Sequence, residues 1–151
     1  EAPRPLALVL SRGRAWYGLC FAGWRLGLPV AAMSEDMPDK AAERERAARA
    51  ARELRPLVAV VDGDPEAIMP GLPADCIVFQ VAELWMVMTT TSSINGCFTG
   101  QPSPGPESVL LYSYTGGTTK HSKCVIVTHA MALWEMGHYA TALKGTMSHA
   151  D

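Results

Sequence analysis

The residues best suited to chemistry lie together late in the chain, as Thr115-Gly116-Gly117-Thr118-Thr119-Lys120-His121-Ser122-Lys123. Glycines let successive backbone N–H groups point at one anion. Threonine and serine hydroxyls add donors, and a lysine adds a charge-assisted hydrogen bond of roughly 1.5–3 kcal/mol. Together these residues make a cradle for phosphate. The loop is not a Walker A sequence, since counting from Gly116 or Gly117 the second glycine of that motif is missing. Nor does it contain the G-x-G-x-x-G of a dinucleotide fold. The same residues also suit a tight hairpin turn with incidental threonines.

A phosphate loop needs rigid elements on either side, and the flanking residues supply them. Val109 to Tyr114 (VLLYSY) and Cys124 to Thr128 (CVIVT) read as strands, and His129 opens a helical pattern through Ala130, Leu133, Met136 and Ala140. Upstream, Leu6 to Leu10, Pro29 to Met33, Leu57 to Val61 and Cys76 to Phe79 are short, unbroken apolar runs of the kind found in strands buried on both faces. Ala15 to Leu26 lies between the first two with helical spacing. Gly27 stands at its C-terminal cap position, and Pro29 follows. This helix is apolar nearly all round and is expected to be buried.

A different kind of helix follows. Six acidic and six basic residues fall between Glu35 and Arg55. Pro38 suits the first helical turn, with Asp36, Asp39 and Glu43 near the positive end of the helix dipole and Arg49, Arg52 and Arg55 near its negative end. Glu45 and Arg49 have the favourable i,i+4 order. Ala47, Ala50, Ala51 and Leu54 form a thin apolar stripe, as expected of a surface helix lying on small side chains. The balanced charge signs make this a solvated face rather than a basic interaction patch.

The alternation of apolar strands with helices predicts an α/β fold: a largely parallel sheet flanked by helices joined through right-handed crossovers. Val81 to Met88 is ambiguous between helix and strand. Thr89 to Ser108, rich in Thr, Ser, Gly and Pro, reads as a long loop, longer than compact domains usually carry. Trp85 and Trp134 read as packing anchors, and Met86, Met88, Met131 and Met136 as core filler.

Composition bounds the rest. The chain has 151 residues, 48% of them apolar and 19% charged, with a net charge of −2. This is the length and composition of a single globular domain with a real core. A slightly acidic chain with few aromatics argues against a nucleic-acid binder. No apolar run reaches the roughly 18 residues of a membrane span, and no basic segment leading into an apolar run opens the chain. The expectation is a cytoplasmic protein. Cys20, Cys76, Cys97 and Cys124 form no C-x-x-C pair and read as free or buried thiols. A zinc set drawn from His121, Cys124, His129 and His138 matches no standard spacing, so no metal ligand is assigned.

The window from Tyr114 to His129 resembles the signature phosphate loop of the adenylate-forming superfamily, whose pattern is Y-T-S-G-S/T-T-G-x-P-K-G-V-x-V-T/S-H. The matches are Tyr114, Thr115, Gly117, Thr118, Thr119, Lys123, Val125, Val127, Thr128 and His129. Upstream, Leu6 to Ala32, with Trp24-Arg25-Leu26-Gly27, is similar to the family's early strand–helix–strand segment. Val81 to Gly100 is the part that matches least. Lys120, Ser122 and Cys124 depart from the family's Gly, Pro and Gly, and Gly116 stands at a serine position. If the parent glycine at 120 has a positive φ, a lysine there costs roughly 1–2 kcal/mol.

That resemblance implies an N-terminal piece, residues 1–151, of an adenylation domain of the nonribosomal peptide synthetase or acyl-CoA synthetase kind, with its phosphate loop at 115–123. The parent would be an ATP-dependent acid–thiol ligase. With ATP and Mg2+ it would activate an amino, fatty or aryl acid as an acyl-adenylate, release pyrophosphate, and pass the acyl group to coenzyme A or a carrier-protein phosphopantetheine. Thr115, Gly116, Gly117, Thr118, Thr119 and Lys123 would hold the β- and γ-phosphates. His129 reads as a helix-start residue, and no catalytic residue is assigned. The family's Tyr-Gly-x-Thr-Glu stretch, ribose-binding aspartate and late lysine would lie downstream, so the piece alone is expected not to complete the reaction. Two other readings stand beside this one: a degenerate, non-catalytic α/β binding or assembly module, and an unrelated flavodoxin-like domain.

Overall fold

The structure is a computed structural model that describes residues 3–33, 39–67, 69–90, 104–114 and 123–142. Its strands are β1 (Leu6–Val9), β2 (Val30–Ala32), β3 (Val58–Val61), β4 (Ile77–Gln80), β5 (Val109–Tyr114) and β6 (Cys124–Thr128). Its helices are α1 (Arg14–Arg25), α2 (Lys40–Leu54), α3 (Val81–Thr90) and α4 (His129–Ala142), with two short 3-10 turns at Pro65–Ala67 and Met69–Gly71. The six strands form one sheet in the order β4-β3-β1-β2-β5-β6. All neighbours are parallel except β5 and β6. The expected α/β architecture, a largely parallel sheet flanked by helices, is the one observed.

One face of the sheet is built from small residues. Ala7, Ala31 and Ala59 are fully buried there, beneath Ala47, Ala50 and Ala51 of α2. The alanine stripe read from the sequence is thus the packing face of that helix. Short side chains on both partners let helix and sheet approach closely. Asp39 caps α2, its carboxylate accepting from the backbone N–H groups of Ala41 and Ala42 at 3.0 and 3.1 Å. The helix begins at Lys40, directly after its cap Asp39. Pro38, expected in its first turn, lies outside the described residues. Arg49 approaches Glu53 to 3.8 Å, and Glu43, 4% exposed, pairs with Lys40 at 3.0 Å.

The opposite face buries Leu6, Leu8, Val30 and Val60 against Cys20, Leu19 and Trp24 of α1 and against Val81 and Leu84 of α3. Helix α1 ends in a Schellman arrangement: the Leu28 N–H donates to the Gly23 carbonyl, and the Gly27 N–H to that of Trp24. Gly27 sits at φ +71°, which explains the glycine at that position.

Several burial expectations are corrected. Helix α1 buries only one side, and Tyr17 and Phe21 are 55% and 61% exposed. Trp85, Trp134, Met86, Met131 and Met136 are exposed rather than core residues. Apolar character marked these helices correctly, but α1 and α3 each turn only one face to the sheet, and α4 buries none of its described residues. The ambiguous stretch from Val81 is a helix and runs to Thr90, two residues into the segment read as loop. The middle of that segment, like Met88's side chain, lies outside the described residues.

Candidate functional site

The site begins where β5 ends. Ala32 and Ser113 are partners in the parallel pairing of β2 with β5, so Tyr114 leaves the sheet at the C-terminal end of its parallel strands. Open α/β sheets place ligands at that end. Tyr114 also pairs with Cys124, the first residue of the antiparallel strand β6. The two ends of the loop are therefore held together at one rung of the sheet, whatever path runs between them. Of the residues expected to bind phosphate, Thr115, Gly116, Gly117, Thr118 and Thr119 lie outside the described residues, as do Lys120, His121 and Ser122. Lys123 is described. It is exposed and directly precedes β6 at the root of the loop.

Side chains hold this root against α2. The Tyr114 side chain shares a small cavity with Ala32, Met33, Glu43, Arg46, Ala47 and Ala50. Its hydroxyl donates to Glu53 Oε2 at 3.1 Å. Burial, then the neighbouring Cys124 and Glu53, push the Tyr114 hydroxyl well above the ordinary phenol range. Partial burial likewise pushes the Cys124 thiol up. Cys124, a departure from the family pattern, thus fills space beside Tyr114. Glu53 was invisible as a site residue in the sequence, since it lies 61 residues from Tyr114. The only available sign was its place in the helix that carries the alanine stripe.

The other side of the loop leads into α4. The Thr128 hydroxyl accepts from the Met131 N–H at 3.2 Å and caps that helix. The N–H groups of His129 and Ala130 donate to the carbonyls of Ser108 and Pro106 at 3.1 and 2.8 Å. His129 is therefore the first residue of the helix, as read from the sequence. Further along, the His138 ring stacks on Trp134 at 4.2 Å. Among the described residues, no group of three or more His, Cys, Asp or Glu is placed to hold a metal ion. His121 of the drawn zinc set lies outside them.

No protein-family model and no curated protein sequence matches the chain. Solved structures do match it. VinN in complex with 3-methylaspartate superposes with a TM-score of 0.70 at 18% identity, over 95% of this chain and 39% of its own. The McyG A-PCP structure complexed with phenylalanyl-adenylate gives 0.66 at 15% identity, over 95% of this chain and 26% of its own. The o-succinylbenzoate CoA synthetase MenE of Bacillus subtilis, in complex with its acyl-adenylate intermediate, gives 0.67 at 13% identity, over 100% of this chain and 36% of its own. At these identities the likeness is one of fold: the chain has the architecture of part of the adenylate-forming enzymes. It spans between about a quarter and two-fifths of the length of these three structures.

Proposed function

We propose that residues 1–151 are a partial adenylation domain, and that the chain supplies the phosphate-binding part of a ligase that activates a carboxylic acid with ATP. The observation that carries this reading is the loop Thr115 to Lys123, rooted at the C-terminal end of β5 in a sheet like that of the acyl-adenylate enzymes. The chemistry of the donor set fits a polyphosphate. Between Thr115 and Lys123 the sequence offers amides, hydroxyls and two lysines, and no carboxylate. Thr115, Gly116, Gly117, Thr118, Thr119 and Lys123 would hold the β- and γ-phosphates. Magnesium, which takes oxygen ligands and keeps several waters, would accompany the nucleotide.

Bound ATP offers its α-phosphate to the acid's carboxylate, with pyrophosphate leaving. The role of this chain is to hold that leaving group. Lysine charge and loop donors stabilise negative charge as it develops, and losing one such donor costs about 10²–10³ in rate. A carboxylic acid and a thiol acceptor, coenzyme A or a carrier-protein phosphopantetheine, complete the reaction in the whole protein. The groups that would bind them lie outside these residues, so the piece alone does not turn over. A cytoplasmic setting belongs to this reading. Among the described residues, no helix is long and apolar enough to cross a membrane.

The test is acid-dependent exchange of radiolabelled pyrophosphate into ATP, measured on the full-length protein over a panel of amino, fatty and aryl acids. Exchange that falls about 10²-fold or more in Lys123→Ala supports the reading. The departures at Lys120, Ser122 and Cys124 favour a second reading, a non-catalytic binding or assembly module. Absence of exchange with every acid, in protein that is folded, would establish that one instead.

A further inference from the structure

We infer that Glu53 is a positioning residue for the phosphate loop, acting through the hydroxyl of Tyr114; the inference rests on the reading of that loop as a phosphate site. The loop leaves the sheet from a single rung, Tyr114 paired with Cys124. Tyr114 directly precedes Thr115, and Lys123 directly precedes Cys124. A tilt or shift of that backbone rung is therefore passed to both ends of the loop, and the Tyr114 side chain resists it only by anchoring its own Cα.

Three contacts act against such movement. The Tyr114 side chain packs against the buried cluster that contains Ala47 and Ala50, and borders one small cavity with Glu43, Arg46, Ala47 and Ala50, positions that share one face of α2 at i, i+3, i+4 and i+7. The same stripe continues to Glu53 at i+10, whose Oε2 accepts the Tyr114 hydroxyl at 3.1 Å. The other carboxylate oxygen of Glu53 lies 3.8 Å from Arg49 Nε, one turn back. Glu53 thus links the Tyr114 hydroxyl to α2 across 61 residues of sequence. A charged acceptor makes the stronger kind of hydrogen bond. Its geometry, an aromatic ring held at body and tip, suits precise placement of a strand end more than bulk stability. The helix carrying Glu53 is itself anchored by its buried alanines, so the tether refers the loop to the rigid core.

The experiment compares Glu53→Ala, Glu53→Gln and Tyr114→Phe in the full-length protein. Three readouts are taken: ATP and pyrophosphate affinity by titration, KM for ATP against kcat and KM for the acid, and amide exchange over residues 115–123. Glu53→Ala and Tyr114→Phe are each expected to weaken ATP and pyrophosphate binding about tenfold, the scale of one charged hydrogen bond. The acid KM stays within about twofold, and exchange in the loop quickens while that of β1 and β3 does not. Glu53→Gln, which keeps an acceptor oxygen, restores most of the affinity. The double variant Glu53→Ala/Tyr114→Phe is no weaker than either single one. Unchanged affinity and unchanged loop exchange in folded Glu53→Ala and Tyr114→Phe overturn the inference, and so do additive losses in the double variant. If the unaltered protein binds neither ATP nor pyrophosphate, the phosphate reading falls. Loop exchange then still decides whether Glu53 holds the loop root. Should Glu53→Ala fail to fold, Tyr114→Phe and Glu53→Gln carry the same comparison.

Discussion

Trp24 Nε1 donates to the carbonyl oxygen of Leu110 at 2.9 Å, joining the last turn of α1 to β5 across 86 residues of sequence. The bond matters because β5 has no partner of its own class beyond β2. On its far side the sheet turns antiparallel at β6. Trp24 therefore secures, from the opposite face to α2, the strand that carries the loop. Trp24→Phe keeps the ring and deletes the donor. It is expected to cost about 1–2 kcal/mol, the penalty for a half-buried carbonyl losing its partner. Trp24→Ala is expected to cost about 3–5 kcal/mol. Urea denaturation of the two variants measures both, and equal midpoints for Trp24→Phe and the unaltered protein would show that the bond contributes nothing.

Gly71 lies where the second 3-10 turn passes over α2. A Cβ there would run into the carbonyl group of Ala48 and stand 2.7 Å from its Cα. Both obstacles are backbone, so neither can swing aside. Gly71→Ala is expected to destabilise by about 1–3 kcal/mol through overpacking. Gly23→Ala is a milder case, since its Cβ would meet side-chain methyls of Leu6 and Val30, at 3.0 and 3.3 Å, and not backbone atoms under 3.0 Å. Thermal unfolding of the pair tests the ranking. A Gly71→Ala protein as stable as Gly23→Ala would mean that the turn can lift away from α2.

The central strands β1, β2 and β3 were legible because each is an unbroken apolar run, the pattern of a parallel strand buried on both faces. Strand β4 carries the same pattern but, at the sheet edge, leaves Ile77 54% exposed, which corrects the expectation of burial there. Val109–Tyr114 and Cys124–Thr128 match their observed bounds. The alanine stripe of α2 was legible for a related reason: small residues at helical spacing among many charges have little use except close packing. Burial of the aromatics was not legible. Periodicity reports that Tyr17, Phe21 and Trp134 are apolar, but not whether a second surface lies opposite them, and here none does among the described residues. At the site, the loop's donors were evident from residue type alone. The link from Glu53 to Tyr114 was not, since it depends on how α2 lies across the sheet. In the sequence, Glu53 is one acidic residue among many on a charged helix.

Arg4 forms a bracket at the opposite end of the sheet. Its guanidinium donates to both carboxylate oxygens of Asp75, at 2.6 and 2.9 Å, and to the carbonyls of Arg55 and Pro56 at 2.7 and 3.0 Å. It thereby fastens the segment before β4 to the end of α2, where Arg55 holds a left-handed φ of 48°. The hydrogen bond from Arg4 keeps the Asp75 carboxyl below its ordinary value of 3.8. A depressed carboxylate contributes stability above its unfolded pKa and loses it as pH falls through the folded one. The unaltered protein is therefore expected to exceed Asp75→Asn in stability near neutrality. The gap should close only as pH drops below about 3.8. A gap that is constant from pH 7 to about pH 3 would remove the charge from the explanation.

Cys20 provides the alkaline counterpart. It is fully buried under the face that packs on β1 and β2, and burial alone pushes its thiol from 9.0 up to about 11. Here the folded state holds the proton more tightly than the unfolded chain. Stability is then intact below pH 9.0 and declines as pH rises towards about 11, because the unfolded thiol ionises first. Cys20→Ser or Cys20→Ala removes the ionisable group and is expected to flatten that part of the stability profile, whatever it does to packing at neutral pH. Reactivity follows the same physics, since only the thiolate attacks. Cys124 is exposed at the loop root while Cys20 is enclosed, so a thiol reagent at pH 8 is expected to label Cys124 in the native protein and Cys20 only after denaturant is added. Peptide mapping of the labelled sites decides it. Rapid native labelling of Cys20 would mean that α1 lifts from the sheet far more readily than its packing against Leu6, Leu8 and Val30 implies.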